Sequence, residues 1–231
     1  MRMILTAALA MVPFLANAEQ PAQRLNQATA VLSEIMQTTD KGIPIDLLAK
    51  AHCIVVVPSV KKAAFVVGGE YGSGYLTCRN SSGLDWSAPG SLRIKGGSVG
   101  FQIGGSETDL VMLIMNQHGV DRLLSDKFTI GADASVAAGP VGRSVAAQTD
   151  AEMHAEILSY SRTQGVFAGV SLEGATLEQD LNENQALYHK KLVNRDIVTS
   201  GVKVPKAAAG LIGLLNKDSS REVTVSTSDA R

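Results

Sequence analysis

Gly68-Gly69-Glu70-Tyr71-Gly72-Ser73-Gly74-Tyr75-Leu76-Thr77-Cys78-Arg79 opens a region in which glycine repeatedly interrupts strand-like sequence. Fifteen of the 22 glycines fall between Gly68 and Gly142. Among and just before them stand runs that read as strands: Cys53–Val57, Ala63–Tyr71, Gly74–Arg79, Ser98–Gly104 and Asp109–Met115. Short, regularly spaced strands punctuated by glycine argue for an antiparallel sheet. Glycine within a strand fits a bulge or a sharp bend better than a flat sheet, so this sheet is expected to curl or close on itself. Gly68 to Gly74 are expected to form a hairpin turn. A second strand group is expected at Ala155–Arg162 and Val166–Leu172, with Thr163-Gln164-Gly165 between them.

Helical patterns flank this region. Leu25, Ala28, Leu32, Ile35 and Met36 recur at helical spacing within Pro21 to Gln37. The polar face of that helix carries Arg24 and Glu34 rather than a Lys/Arg-rich set, which favours packing on the core over lying on a membrane. Gly42 and Pro44 break the chain before a short helix at Ile45 to Lys50. Helical signals resume at Leu177–Lys190 and at Lys206–Asn216, with Pro205 placed to start the latter. No Pro/Ser-rich linker and no fixed-period repeat divides the chain. The expected class is α+β: a Gly-rich, mostly antiparallel curled sheet or barrel-like core flanked by helices, as a single domain over residues 19–217. A polar tail, residues 218–231, follows.

Residues 1–18 read as an export signal. Met1-Arg2-Met3 is a positive n-region, Ile4 to Leu15 an apolar h-region, and Ala16-Asn17-Ala18 a small-x-small cleavage site, placing the cut after Ala18. As a membrane anchor, twelve residues of helix would reach only about 18 Å, short of a hydrocarbon core roughly 30 Å thick. No cysteine follows the h-region to accept a lipid. The expected location is therefore periplasmic or secreted. The chain has 21 Lys+Arg against 22 Asp+Glu; loss of Arg2 leaves 20 against 22. Such a balance has no electrostatic footprint for nucleic acid, and 4% aromatic content offers few platforms for stacking bases.

Cys53 and Cys78, both beyond the signal, are an even pair in an oxidising compartment and are expected to form a disulfide; two buried free thiols are the alternative. His52, His118, His154 and His189 are scattered, and no CxxC or HExxH spacing exists, so no metal site and no cofactor is expected. Gly96-Gly97-Ser98-Val99-Gly100 matches the G-x-S-x-G nucleophile elbow in letters, and Asp133 or Asp150 with His154 or His189 would complete the order of a triad. The elbow needs a strand-to-helix turn, whereas Phe101-Gln102-Ile103-Gly104-Gly105 reads as strand. Gly68–Gly74 lacks the Gly-Lys-Ser/Thr ending and following helix of a phosphate loop. Lys61-Lys62, beside Pro58-Ser59, is a compact basic spot expected on a turn. Trp86, the single tryptophan, is expected to anchor the core.

Several segments in order resemble the SYLF domain family. They are Ile43-Pro44 with a helix ending at Ala51, the strand Ile54–Val57, Gly68-Gly69 with Gly72-x-Gly74, Arg79, and Trp86-Ser87-x-Pro89. Gly96-Gly97-Ser98-x-Gly100-x-Gln102-Ile103-Gly104, Asp109-Leu110-Val111, Gly139-Pro140-x-Gly142-Arg143 and Ser159-Tyr160-Ser161 come after these. Gly165-x-Phe167 through Gly174 is next, then Leu177, Asp180, Asn184 and Tyr188 on a following helix. The resemblance covers roughly Leu25 to Gly201. It implies binding to acidic phospholipids, often through a basic N-terminal amphipathic helix, with actin association in eukaryotic members and no enzymatic activity. It also makes the Gly-x-Ser-x-Gly letters part of a Gly-rich strand. The helix here is not strongly basic, and an exported protein meets no actin. The expected function is peripheral, non-enzymatic binding to an anionic phospholipid surface, with Arg24, Lys61 and Lys62 at headgroups and Leu25, Leu32 and Ile35 as apolar contacts. A cell-envelope protein-docking module without lipid binding is the alternative, its protein partner unknown.

Overall fold

The structure, a computed structural model, describes residues 20–38, 42–65, 67–99, 104–141, 154–163, 166–169, 172 and 174–219. The expected export signal and nearly all of the expected tail lie outside the described residues.

Strand β1, Cys53–Phe65, is the centre of the molecule. Ile54 and Val56 face one core while Cys53, Val55 and Val57 face another, so its apolar run is buried on both sides. Around it lie β2 (Val67–Cys78), β3 (Gly90–Val99) and β4 (Gly104–Ile114), and then the short strands β5 (Lys127–Thr129) and β6 (Val136–Ala138). Strands β7 (Ile157–Thr163), β8 (Val166–Gly169) and β9 (Thr176–Gln179) complete a nine-stranded sheet. Its order is β5-β9-β3-β2-β1-β4-β7-β6, with β8 also on β7. Every pairing is antiparallel except β6 with β7. The α+β class with a curled antiparallel sheet is as expected.

Helix α1, Pro21–Gln37, starts on Pro21, whose missing N–H costs nothing at a first helical position. Its stripe of Leu25, Ala28, Val31, Leu32 and Ile35 packs on Ile54, Val56, Tyr75, Val111 and Leu113. Each large aliphatic side chain so buried contributes roughly 1.5–3 kcal/mol. Gly42 lets the chain pass the end of α1: a Cβ there would stand 2.3 Å from the Ile35 carbonyl oxygen. Helix α2 (Ile45–Lys50) and helix α6 (Ala209–Asp218), entered through a 3-10 turn at Lys206–Ala208, close the same face. On the opposite face, helix α3 (Gln117–Leu123), Phe128, Leu172 and helix α5 (Asn194–Thr199) cover Val55, Val57, Leu92, Ile94 and Met112. Helix α4, Leu181–Tyr188, succeeds β9 in the chain.

Three expectations are corrected. Gly68–Gly74 belongs to the body of β2, which is paired with β3 throughout that stretch and with β1 as far as Val67 with Phe65. Lys61 and Lys62 stand within β1 rather than on a turn. Leu177 is in strand β9, and the helix begins only after Asp180, whose carboxylate caps it by accepting the Glu183 N–H at 3.1 Å. Leu177 shows period 2 over four residues only, too short to be told from the edge of a helix. Its state comes from pairing with Ile94 and Phe128.

A bulge in β1 decides which faces the two lysines of that strand take. Val57 pairs with Leu110 but Val60 with Thr108, and Val56 pairs with Tyr75 but Lys61 with Tyr71. One extra residue is therefore accommodated at Pro58-Ser59, with Ser59 at φ 54°. Because side chains alternate, the insertion keeps Val60 on the face of Val57. It turns Lys61 toward the α1 face and Lys62 away from it.

Candidate functional site

The bulge and the first turn of α1 border a cleft of about 350 Å³. Arg24 and Gln27 line it from α1, Ser59 and Lys61 from β1, Tyr71 and Ser73 from β2, and Glu107 from β4. Lys61 is exposed and flanked in register by Tyr71 and Glu107. Tyr71 is 49% exposed, one of the few large hydrophobic side chains facing solvent among the described residues. The Ser59 N–H donates to Asp109 Oδ1 at 2.9 Å, and Arg162 Nε donates to Asp109 Oδ2 at 2.7 Å. Arg162 also pairs with Glu34 of α1. Burial raises the Asp109 carboxyl above its ordinary value, the Ser59 N–H opposes this, and Glu107 adds to it.

Arg24 reaches the cleft already held. Its Nη1 lies 2.6 Å from Glu183 Oε1, which also accepts the Tyr75 hydroxyl at 2.7 Å. Tyr75 lies 3.0 Å from the Pro21 carbonyl as well. Burial, then the Glu183 carboxylate, push the Tyr75 phenol well above its ordinary value, so it stays a donor. One carboxylate thus ties α1, β2 and α4 together, and Arg24 serves that junction as well as the cleft.

Of the six residues expected to meet lipid, the structure brings Arg24 and Lys61 together in this cleft. Lys62 lies on the other face, 2.9 Å from Glu70, at a second cavity of about 250 Å³ floored by Val60, Ile94, Leu110 and Leu172. Leu25, Leu32 and Ile35 are fully buried against the sheet. They are core residues, not surface ones, because the helical stripe that carries them is the one the sheet covers; this corrects their assignment as apolar membrane contacts. Tyr71, Ser73 and Glu107 were not expected here. Nothing local in the sequence marks them, since their meeting depends on strand register.

Cys53 and Cys78 form the expected disulfide as direct partners on β1 and β2, with Cα atoms 3.9 Å apart. Trp86 is buried as expected; its Nε1 donates to Ser219 Oγ at 2.8 Å, and the Arg79 guanidinium lies 4.2 Å from its ring centroid. Ser98 pairs with Gly68 inside β3, which runs to Val99, and the next described element is strand β4. Gly100 to Ile103 lie outside the described residues. Among the described residues there is no group of three His, Cys, Asp or Glu side chains able to hold a metal, and no helix is long and apolar enough to cross a membrane.

Residues 95–218 match the family model described as Ysc84, Las17-binding protein actin regulator. The chain is 37% identical over 177 residues to an SH3 domain-containing protein of Schizosaccharomyces pombe, a match covering 75% of this chain and 41% of that protein. It is 33% identical over 196 residues to SH3 domain-containing YSC84-like protein 1 of Homo sapiens, covering 82% and 57% respectively. With protein YSC84 of Saccharomyces cerevisiae the identity is 34% over 180 residues, 76% of this chain and 38% of the yeast protein. The chain thus spans less than three fifths of the length of these relatives. The family description names a binding protein and regulator, not an enzyme. Matched by the family model over residues 95–218, and by relatives across most of its length, this chain belongs to the Ysc84, or SYLF-domain, family.

Proposed function

We propose that this chain is an exported, non-enzymatic protein that binds peripherally to anionic phospholipid membranes. The observation that carries the reading is the convergence of Arg24 and Lys61, 37 positions apart in sequence, on one open cleft rimmed by the exposed ring of Tyr71. Lys61 has no ion-pair partner among the described residues, so its charge is available to a headgroup phosphate. Gln27 and Ser73 add neutral polar side chains beside it. Glu107 keeps the cleft from being strongly basic, so binding is weak and salt-sensitive. The Cys53–Cys78 disulfide supports export, because such bonds persist in oxidising compartments.

Co-sedimentation with phosphatidylglycerol-containing and neutral vesicles tests this. A cation close to an anionic bilayer contributes roughly 1 kcal/mol. Lys61→Glu, which removes one cation and adds an anion, changes two charges and should weaken binding about thirtyfold at low salt. Equal sedimentation of wild type with both vesicle types would remove the electrostatic reading. Sedimentation with neither would leave docking to a protein partner, the mode named in the family description.

A further inference from the structure

The charges of the four central strands stop at one line. Lys95 of β3, Tyr71 of β2, Lys61 of β1 and Glu107 of β4 are successive register partners, and Glu70 pairs with Lys62 one step further on. Past that row the ladder continues through Ala64 with Gly104, Phe65 with Val67 and Val67 with Val99. No residue there is charged. The uncharged runs are 63–69 and 96–106. At the chain's 19% charged content, runs of this combined length would carry about three charges. Uncharged sequence is ordinary inside a core, but this end of the sheet reaches solvent: Gly69, Gly97 and Ser106 are exposed. A Cβ added at Gly97 would meet nothing within 4 Å.

We infer that this uncharged end of the β1–β4 ladder is the part of the protein that enters the headgroup region of an anionic bilayer. Lys61, Lys62 and Lys95 form the collar that stays at the phosphates. The inference rests on the lipid-binding reading and says how the protein is oriented. Three residues of strand beyond Lys62 extend about 10 Å, matching the roughly 5–10 Å to which interfacial elements sink. The ladder satisfies its own backbone hydrogen bonds, which lowers the cost of leaving water. A bilayer fits better than a protein partner because cations stand on both faces of the sheet, Lys61 on one and Lys62 on the other, so the strand ends themselves are presented. Glu70 and Glu107 sit in the same collar. Glu70 is paired with Lys62, and Lys95 is paired with Glu178 at 2.7 Å. Charge alone therefore gives little affinity, and burial of the uncharged end must supply the rest.

The test uses the full chain with Val67→Trp, and separately with Ser81→Trp at the opposite end of the sheet, against vesicles of brominated phosphatidylglycerol. Each protein is measured free and also tethered to nickel-chelating lipid by an oligohistidine segment after Arg231. The tether brings the protein to the bilayer whatever its own affinity, and wild type supplies the Trp86 background. Loss of emission from the tryptophan of Val67→Trp but not of Ser81→Trp is the expected result. Equal quenching of both, or of neither, in the tethered state would overturn the inference. Free protein that fails to bind while the tethered Val67→Trp protein is quenched would sink the lipid-affinity reading and leave this orientation standing. Free protein that binds without quenching at position 67 would leave the cleft as the contact and reject the inference.

Discussion

Reducing the Cys53–Cys78 bond perturbs the protein without changing any side-chain volume, which makes its consequence calculable. The two cysteines are 25 residues apart in sequence. Closing a loop of that length restricts the unfolded chain by about 3.5 kcal/mol on the chain-entropy view. For a domain of about 200 residues, each kcal/mol moves the melting temperature by roughly 2–4 °C. Reduction should therefore lower it by about 7–14 °C. Both cysteines are buried, Cys53 completely and Cys78 at 6% exposure, so reductant reaches the bond only when the β1–β2 ladder opens. The reduced sample must be prepared by unfolding in reductant and refolding under it. The assay is calorimetry or circular dichroism of protein recovered from an oxidising compartment, with and without that treatment. Alkylation and mass spectrometry report the thiol count of each sample. Coincident melting of the two forms would refute the reasoning, and so would two alkylated cysteines in the unreduced, exported protein.

Gly74→Ala should destabilise by about 1–3 kcal/mol, because its Cβ would lie 2.2 Å from the Val56 carbonyl oxygen and 2.7 Å from Val57 Cα, backbone that leads into the bulge. Gly97→Ala, with open space around it, should stay within about 0.5 kcal/mol; urea titrations giving the two equal losses would contradict this placement. Glu156 joins strand β7 to its neighbours. Burial alone would raise its carboxyl, but hydrogen bonds from the Ser135 N–H and Oγ and from His118 outweigh burial and hold it below the ordinary value of 4.5. A depressed folded value means its stabilisation is complete above the unfolded value and is lost as pH falls through the folded one. Glu156→Gln should accordingly lower the melting temperature at pH 7 and cost progressively less below pH 4.5. A pH-independent difference would show that the charge is not what matters.

Much of this protein was legible locally. The bounds of α1 follow from Pro21 and the Leu25–Leu32–Ile35 stripe, those of α2 from Gly42 and Pro44, and the C-terminal helix from Pro205. Each is a signal carried within a turn or two of chain. The Gly-rich runs announced a curled antiparallel sheet, because glycine in a strand weakens packing wherever it stands. The preference for core packing over membrane contact was also readable, from a polar face with one arginine and one glutamate instead of a basic stripe. The short elements were not legible. Strands β5, β6 and β9 have three or four residues each, below the length at which a period can be read.

By itself, then, the sequence determined the class, the flanking helices, the candidate disulfide and the family, all of which rest on local period or on ordered motifs. Only the tertiary structure decided which way the charges point. Lys61 and Lys62, as neighbours in a strand, must take opposite faces, but which of them turns toward α1 is set by the one inserted residue at Pro58-Ser59, and that insertion is visible only against Tyr71 and Thr108 on other strands. Arg24 looks like a surface cation until Glu183, 159 positions away, is folded beside it. Register and long-range pairing are properties of two segments at once. A linear reading of one segment contains the side chains but not the face they take.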